Sequence, residues 1–335
     1  VSASRLVGTT ESPAKTFDLA LVDLDGVAYR GHEPIDHAAT SLAAARAAGM
    51  SLVFVTNNAS REPEDVAAQL TSLNIPTAPD EVLTAAQAAA ALLATRLAPG
   101  DRVLVVGGKG LRTATAQAGF TVVDSAGDAP VAVVQGFSPD LGWRQLAEAA
   151  YAVAGGAWHV ASNLDLSLPT DRGFAPGNGA LVGAVVHATG ITPDSSGKPS
   201  PAMYELAIDR HGARAPLVVG DRLDTDLAGA RAGRIPGLHV FTGVSSPRDA
   251  VLAAPHERPH LLGADLRALH EPHPEPGPGP EDWWVCRESA ARVRSGELEL
   301  DGSGIDLVRA ACAAAWAAAD AGAPVDPARV GDLTP

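Results

Sequence analysis

Aromatic residues make up 4% of the 335-residue chain, and only two cysteines occur. The core must therefore be built mostly from Ala, Val and Leu, and a disulfide framework is excluded as the organising device. Cys286 and Cys312 show no metal or redox spacing. No run of about eighteen apolar residues occurs, so no transmembrane helix is expected. Residues 1–16 are rich in Ser and Thr and lack an apolar h-region. They read as a loose, flexible tail rather than a signal peptide, and with no signal a cytoplasmic, reduced setting is expected. Basic charge is scarce: the formal net charge is −14. That excludes the basic stripe a nucleic-acid surface needs, but not a local anion site made from a metal, backbone N–H groups and a few cations. No Gly-x-Ser-x-Gly elbow occurs, which removes the serine-hydrolase reading.

What is present is an alternation of short apolar runs and Ala-rich helical stretches, the pattern of a parallel α/β sheet. Strands are expected at 19–22 and 51–55, with helices at 36–48 (Asp36 as N-cap, Gly49 as stop), 62–73 and 81–97. Pro99-Gly100 breaks the chain. Beyond it, strands at 103–106, 121–123, 131–135 and 158–161 alternate with helices at 111–118, 143–154 and 180–189, with an irregular loop at 163–177. This stretch reads as a separate α/β module, 100–190, inserted into a parent domain of 17–99 and 191–270. The parent resumes with a helix at 202–211, a strand at 217–219, a helix at 227–232 and a strand at 237–241. The Pro-rich run 271–280 reads as a stiff linker. Two strands and an Ala-rich helix at 305–321 then form a small βα module, 281–335. Trp283, Trp284 and Trp316 of that module are expected to bury against the parent domain or a second subunit, so a homo-oligomer is one outcome.

Four stretches carry candidate chemistry. The strand at 19–22 runs into Asp23-Leu24-Asp25-Gly26-Val27. At a strand's carboxyl end both carboxylates can enter the crevice where open α/β sheets place their ligands. Carboxylates this close repel, and Mg²⁺ with a phosphate ester relieves that repulsion. The same tetrad could be an Asx-rich turn. The second strand ends in Thr56-Asn57-Asn58, whose hydroxyl and N–H groups can hold phosphate oxygens or simply cap a turn. Lys198, in Gly197-Lys198-Pro199, offers a compact positive charge. It is not a P-loop lysine, since Thr192 and Pro199 occupy positions where that motif needs Gly and Ser or Thr. Finally, Gly220-Asp221-Arg222-Leu223-Asp224-Thr225-Asp226 follows an apolar run, and Asp221 could supply a further carboxylate to a shared cation. Gly177-x-Gly179 follows Pro176 and no strand, so a dinucleotide loop is set aside.

The order of these stretches resembles the four motifs of the haloacid dehalogenase (HAD) superfamily of phosphohydrolases, in the class with a large α/β cap between the second and third motifs. The resemblance covers about 17–270. It implies a Rossmann-like parallel-sheet core, an inserted cap and a Mg²⁺-dependent phosphomonoesterase working through an aspartyl-phosphate. Asp23 would be the nucleophile and Asp25 the general acid and base. The metal would be held by the Asp23 carboxylate, the Asp25 backbone carbonyl and Asp221, with Asp226 behind them. Thr56, Asn57, Asn58 and Lys198 would bind the phosphoryl group. Ser162-Asn163-Leu164-Asp165 resembles the substrate loop of the cap, and Pro176-Gly177-Asn178-Gly179 its closing turn, so Asn163 and Asp165 would reach substrate hydroxyls. Members that take pyridoxal phosphate carry a His near the position of Leu168. Glycerol 3-phosphate is the substrate the resemblance favours. Phosphoglycolate, a sugar phosphate or a nucleotide are alternatives, as is a non-catalytic regulatory protein on the same fold. A small phosphate ester is the expected partner, with neither nucleic acid nor membrane.

Overall fold

The computed structural model describes residues 5–170 and 172–335. The chain forms two compact units. One combines the segment ending at Phe54 with Leu73–Ile75 and Ala207–Pro335, and the other comprises Val55–Ser72 and Pro76–Leu206. The stretch 100–190 lies wholly inside the second unit, whose sequence limits extend beyond it on both sides.

In the first unit, parallel strands stand in the order Leu261–Gly263, Gly237–Val240, Pro216–Gly220, Leu19–Val22 and Ser51–Thr56, the last two residues of which are counted with the second unit. Leu19–Val22 is buried along its whole length, which is why it reads as a continuous apolar run rather than an alternating one. The chain leaves this strand towards Ser51 on one side and returns at Pro216 on the other. The strand is therefore the switch point of the sheet, and the crevice beyond its carboxyl end is the expected ligand site. Helix Ala38–Ala47 is entered through His37 at φ 65°, not capped by Asp36, and Gly49 (φ 98°) follows its end. Among the described residues no helix is long and apolar enough to cross a membrane.

The second unit has its own parallel sheet, in the order Asp194–Ser195, Trp158–Ala161, Ala132–Gln135, Arg102–Val106, Thr121–Val123. Its core gathers Leu104, Val106, Val133, Val153 and Val185. Two expectations change here. The helix placed at 81–97 is a strand, Val82–Thr84, followed by helix Ala85–Ala94. Thr84 takes the Gln87 N–H while the Gln87 side chain takes the Thr84 N–H, and this reciprocal cap fixes the helix start. The loop placed at 163–177 contains a hairpin, Ser167–Thr170 with Gly173–Pro176. A two-stranded ribbon tolerates Pro at its edge, so its composition hid it.

The tail and linker are also more ordered than their composition suggests. Residues 1–4 lie outside the described residues. Beyond them, Leu6 is buried, the Val7 N–H donates to His260 O, and the Thr9 N–H donates to His273 O. Within the Pro-rich run, Gly277–Pro278 pairs with Trp284 and Val285 as the edge of a four-stranded antiparallel sheet. An edge position lets Pro contribute without an N–H. The sheet continues through Trp284–Cys286, Ser289–Arg294 and Glu297–Asp301, and helix Gly304–Asp320 packs on it.

This C-terminal module shares one core with the parallel sheet of its unit: Leu6, Leu223, Leu227, Val251 and Leu262 meet Cys286, Val308, Cys312 and Trp316. Trp316 is buried and its Nε1 donates to Ala250 O at 3.0 Å. Two arginines brace the contact. Arg309 bonds Asp306 at 2.6 Å and Leu262 O at 2.7 Å, and Arg258 bonds both Asp320 oxygens at 2.9 Å. Trp284 is half-buried on this core, whereas Trp283 lies beneath the Arg292 guanidinium. Trp316→Ala should lower the unfolding free energy by about 3–5 kcal/mol, measured by urea denaturation. A loss below about 1 kcal/mol would mean that the module is only loosely attached.

Candidate active site

Asp23 follows directly on the central strand, and its N–H donates to Val219 O at 2.8 Å, which sets it beside the carboxyl end of Pro216–Gly220. Asp221 is the next residue after that neighbouring strand. Gly26 takes a left-handed turn (φ 87°), and the Tyr29 N–H donates back to Leu24 O. The chain therefore curls tightly around the two strand ends.

Asp23, Asp221 and Asp226 each present an oxygen within 4.8 Å of the others. Asp226 reaches this cluster because residues Leu223–Leu227 form a π-turn, with the Leu227 N–H donating to Arg222 O. The wider turn swings the Asp226 side chain back over Gly220, where a Cβ would overlap its Cβ and Cγ. Its Oδ2 accepts the Arg222 N–H at 3.2 Å. A Cβ on Gly26 would lie 2.5 Å from Asp221 Oδ2, and one on Gly243 would overlap the same carboxylate. The Val244 N–H donates to Asp221 Oδ2 at 2.6 Å. His239 is buried and donates Nε2–H to the Asp221 carbonyl, and desolvation lowers its pKa to about 4, so it stays neutral. Gly243 and His239 are supports that the sequence reading missed. Their only signal is their place in and just after the apolar strand Gly237–Val240.

Three clustered acids, two of them buried, with glycines admitting the closest approach, fit a hard divalent cation that takes oxygen ligands. The sequence reading placed Asp226 behind the metal ligands, and the structure gathers its carboxylate with the other two. Asp25 lies outside this group of side chains. Its carboxyl keeps a solvent-facing side, yet burial raises its pKa, against the opposing effects of the Gly31 N–H and the Arg30 charge. The histidines at His-x₃-His spacing, His256 and His260, form no metal group: His256 is exposed beside Glu257, and His260 Nδ1 accepts the Gly237 N–H.

In the second unit, Thr56 ends its strand and its Oγ1 accepts the Asn58 N–H, while Asn58 Oδ1 accepts the N–H and hydroxyl of Ser60. Asn58 thus shapes the turn. Asn57 Oδ1 accepts the Lys198 N–H at 2.9 Å, and Asn57 Nδ2 donates to Lys198 O at 3.1 Å. The same Nδ2 donates to both Asp165 oxygens, at 3.2 and 3.1 Å. Lys198 is buried and its Nζ lies 3.4 Å from Val55 O. Asn163 Nδ2 donates to Asn57 O at 2.7 Å, and its Oδ1 accepts the Asp165 N–H. Asn163 and Asp165, expected to read substrate hydroxyls, use these groups to tie the loop to Asn57. A Cβ on Gly197 would overlap Ser162 O and lie 2.9 Å from Asn57 Oδ1, which explains the glycine before Lys198.

Mg²⁺ at about one hundred times its Kd should stabilise the wild-type protein by ~2.7 kcal/mol, read as a thermal-midpoint shift. Asp221→Asn should abolish that shift, and Gly243→Ala should reduce it by displacing the carboxylate. An unchanged shift in Asp221→Asn would rule out the acid cluster as the metal site.

The sequence profile of the haloacid dehalogenase-like hydrolases matches residues 20–121, and an HAD-hydrolase-like profile matches 195–269. A GCN5-related N-acetyltransferase-like domain profile matches 286–332. The chain is 45% identical over 314 residues to the D-glycerol 3-phosphate phosphatase of Mycobacterium tuberculosis, covering 92% of this chain and 88% of that one. It is 36% identical over 240 residues to an acid sugar phosphatase of Staphylococcus saprophyticus, covering 70% and 90%. The crystal structure of the M. tuberculosis glycerol phosphate phosphatase with magnesium superposes with a TM-score of 0.84 at 44% identity, over 92% of this chain and 93% of that one. With the acid cluster at the switch point of a parallel sheet, these likenesses make the chain a member of the haloacid dehalogenase-like hydrolase family.

Proposed function

We propose that this protein is a Mg²⁺-dependent phosphomonoesterase whose substrate is glycerol 3-phosphate. The observation that carries the chemistry is the convergence of Asp23, Asp221 and Asp226 at the sheet's switch point. The substrate rests on the 45% identity to a D-glycerol 3-phosphate phosphatase over most of both chains. Asp23, Asp221 and Asp226 would hold the metal, which when bound neutralises phosphoryl charge. Asp23 attacks phosphorus through a carboxylate oxygen, and the bond from phosphorus to the ester oxygen breaks. Asp25 gives its proton to the departing oxygen, so the alcohol leaves neutral. The resulting Asp25 carboxylate then takes a proton from water as that water attacks the aspartyl-phosphate, releasing phosphate and restoring Asp23. Thr56 Oγ, the Asn57 N–H and Lys198 Nζ are assigned to the phosphoryl oxygens on the chemistry of their donors. A cytoplasmic setting is proposed as well, which suits two buried free thiols.

Asp23→Asn should leave the fold intact and lower kcat by at least ~10³-fold, with EDTA abolishing wild-type turnover and Mg²⁺ restoring it. Near-normal turnover by the folded variant would end the aspartyl-phosphate mechanism.

The raised pKa of Asp25 keeps its acid form present at higher pH than an ordinary carboxyl. The first step needs that acid form, so kcat/KM should fall as pH rises through this pKa. Asp25→Asn should lose that limb, and a limb surviving in the variant would assign the acid elsewhere. In a comparison of glycerol 3-phosphate with phosphoglycolate and sugar phosphates, the highest kcat/KM should belong to glycerol 3-phosphate, and a different first choice would overturn that assignment.

A further inference from the structure

The turn Pro176-Gly177-Asn178-Gly179 lies against the loop of residues 163–166 at backbone contact. A Cβ on Gly177 would overlap Asp165 O, and one on Gly179 would overlap Leu164 O. The Gly177 N–H donates to Leu166 O at 3.0 Å and the Gly179 N–H to Asp165 O at 2.8 Å. Between the two glycines, Asn178 opens helix Asn178–Thr189. It is 2% exposed, and it turns its side chain backwards so that Nδ2 donates to Asn163 O at 2.7 Å and reaches Gln135 O at 3.4 Å. A short buried amide placed between two glycines can approach a carbonyl this way without strain.

We propose that Asn178 is a positioning residue: by clamping the Asn163 carbonyl it fixes the Asn163–Asp165 loop and, through Asn57, the backbone of Lys198. Each link is a hydrogen bond within the second unit. Asn178 holds Asn163, Asn163 donates to Asn57 O, and Asp165 accepts from the Asn57 amide. That amide in turn brackets both the N–H and the carbonyl of Lys198. Asn57 is thereby held from the loop side and the lysine side at once, and a half-buried amide bonded on both sides has one orientation that satisfies both. The consequence for turnover rests on the phosphatase reading. Loosening the clamp displaces Asn57 and Lys198 for every phosphate ester, not for one alcohol, so the loss should fall on kcat whatever the leaving group.

The test compares Asn178→Ala with Val185→Ala, a cavity substitution at a buried position on the same helix. Hydrogen exchange at the Lys198 amide is read by mass spectrometry, and kcat is read with p-nitrophenyl phosphate and with glycerol 3-phosphate. Asn178→Ala should speed Lys198 exchange and lower kcat by about 10- to 100-fold on both substrates, whereas Val185→Ala should lower the thermal midpoint and leave both readouts unchanged. Asn178→Ser, which keeps a small polar group at the helix start, is expected to move the same two readouts and serves if the alanine variant does not fold. Unchanged Lys198 exchange in a folded Asn178 variant overturns the inference, as does a loss of kcat confined to one substrate. If the wild-type protein turns over no phosphate ester, the phosphatase reading fails, and the exchange measurement alone decides the positioning role.

Discussion

Mutual repulsion of carboxylates is the constraint on which the first unit's architecture turns. Two unit charges about 4 Å apart repel by about 4 kcal/mol at an effective dielectric constant near 20, and Asp23, Asp221 and Asp226 make three such pairs. The fold holds them together all the same. Two adjacent strand ends deliver Asp23 and Asp221, a π-turn folds Asp226 back, and Gly26, Gly220 and Gly243 leave the space a Cβ would take. The Val244 and Arg222 N–H groups each donate to one of these carboxylates. Such an assembly is stable when a cation shares the charge, which is why metal affinity and the shape of the crevice are one property here rather than two.

The parallel sheets were legible because buried strands are short, apolar and followed by helical periodicity. The strand ends were legible because acids and glycines follow the apolar runs directly. Asp23 and Asp221 could be picked out for that reason, whereas Asn57 was picked out by the polar run that ends the second strand, and Lys198 by its charge between Gly197 and Pro199 and by the order of the motifs. The approach of Asp226 to Asp23 and Asp221 was not legible: a π-turn adds one residue to the loop, and no residue type in Leu223–Leu227 announces it. The hairpin Ser167–Thr170 with Gly173–Pro176 was masked by its prolines and glycine. The segment around Leu6 and Thr9 resembled a tail because its anchoring is done largely by backbone hydrogen bonds, which leave no mark on composition. The edge strand Gly277–Pro278 within the Pro-rich run was hidden for a related reason, since an edge strand needs only some of its backbone groups to pair.

The second unit shows a different economy of polar groups. Asn163 and Asp165 looked like hydroxyl readers, yet their hydrogen bonds run inward to Asn57 and to each other. Polar side chains at strand ends can both fix a loop and face a ligand, and these hydrogen bonds account for the first of those two tasks. The C-terminal module adds no acid cluster of its own among the described residues. Its helix buries an Ala-rich face and Trp316 against the parallel-sheet side of its unit. The same segment matches a GCN5-related N-acetyltransferase-like profile over residues 286–332.

The nucleophilic role of Asp23 is open to direct chemical capture. The protein is mixed with glycerol 3-phosphate and Mg²⁺, quenched in acid within a single turnover, and reduced with borohydride, which converts an acyl phosphate to the alcohol. Peptide mass spectrometry should then find homoserine at position 23 and aspartate at positions 25, 221 and 226. Turnover at the normal rate with position 23 recovered only as aspartate, or with homoserine at another position, would contradict the assignment of Asp23 as the attacking group.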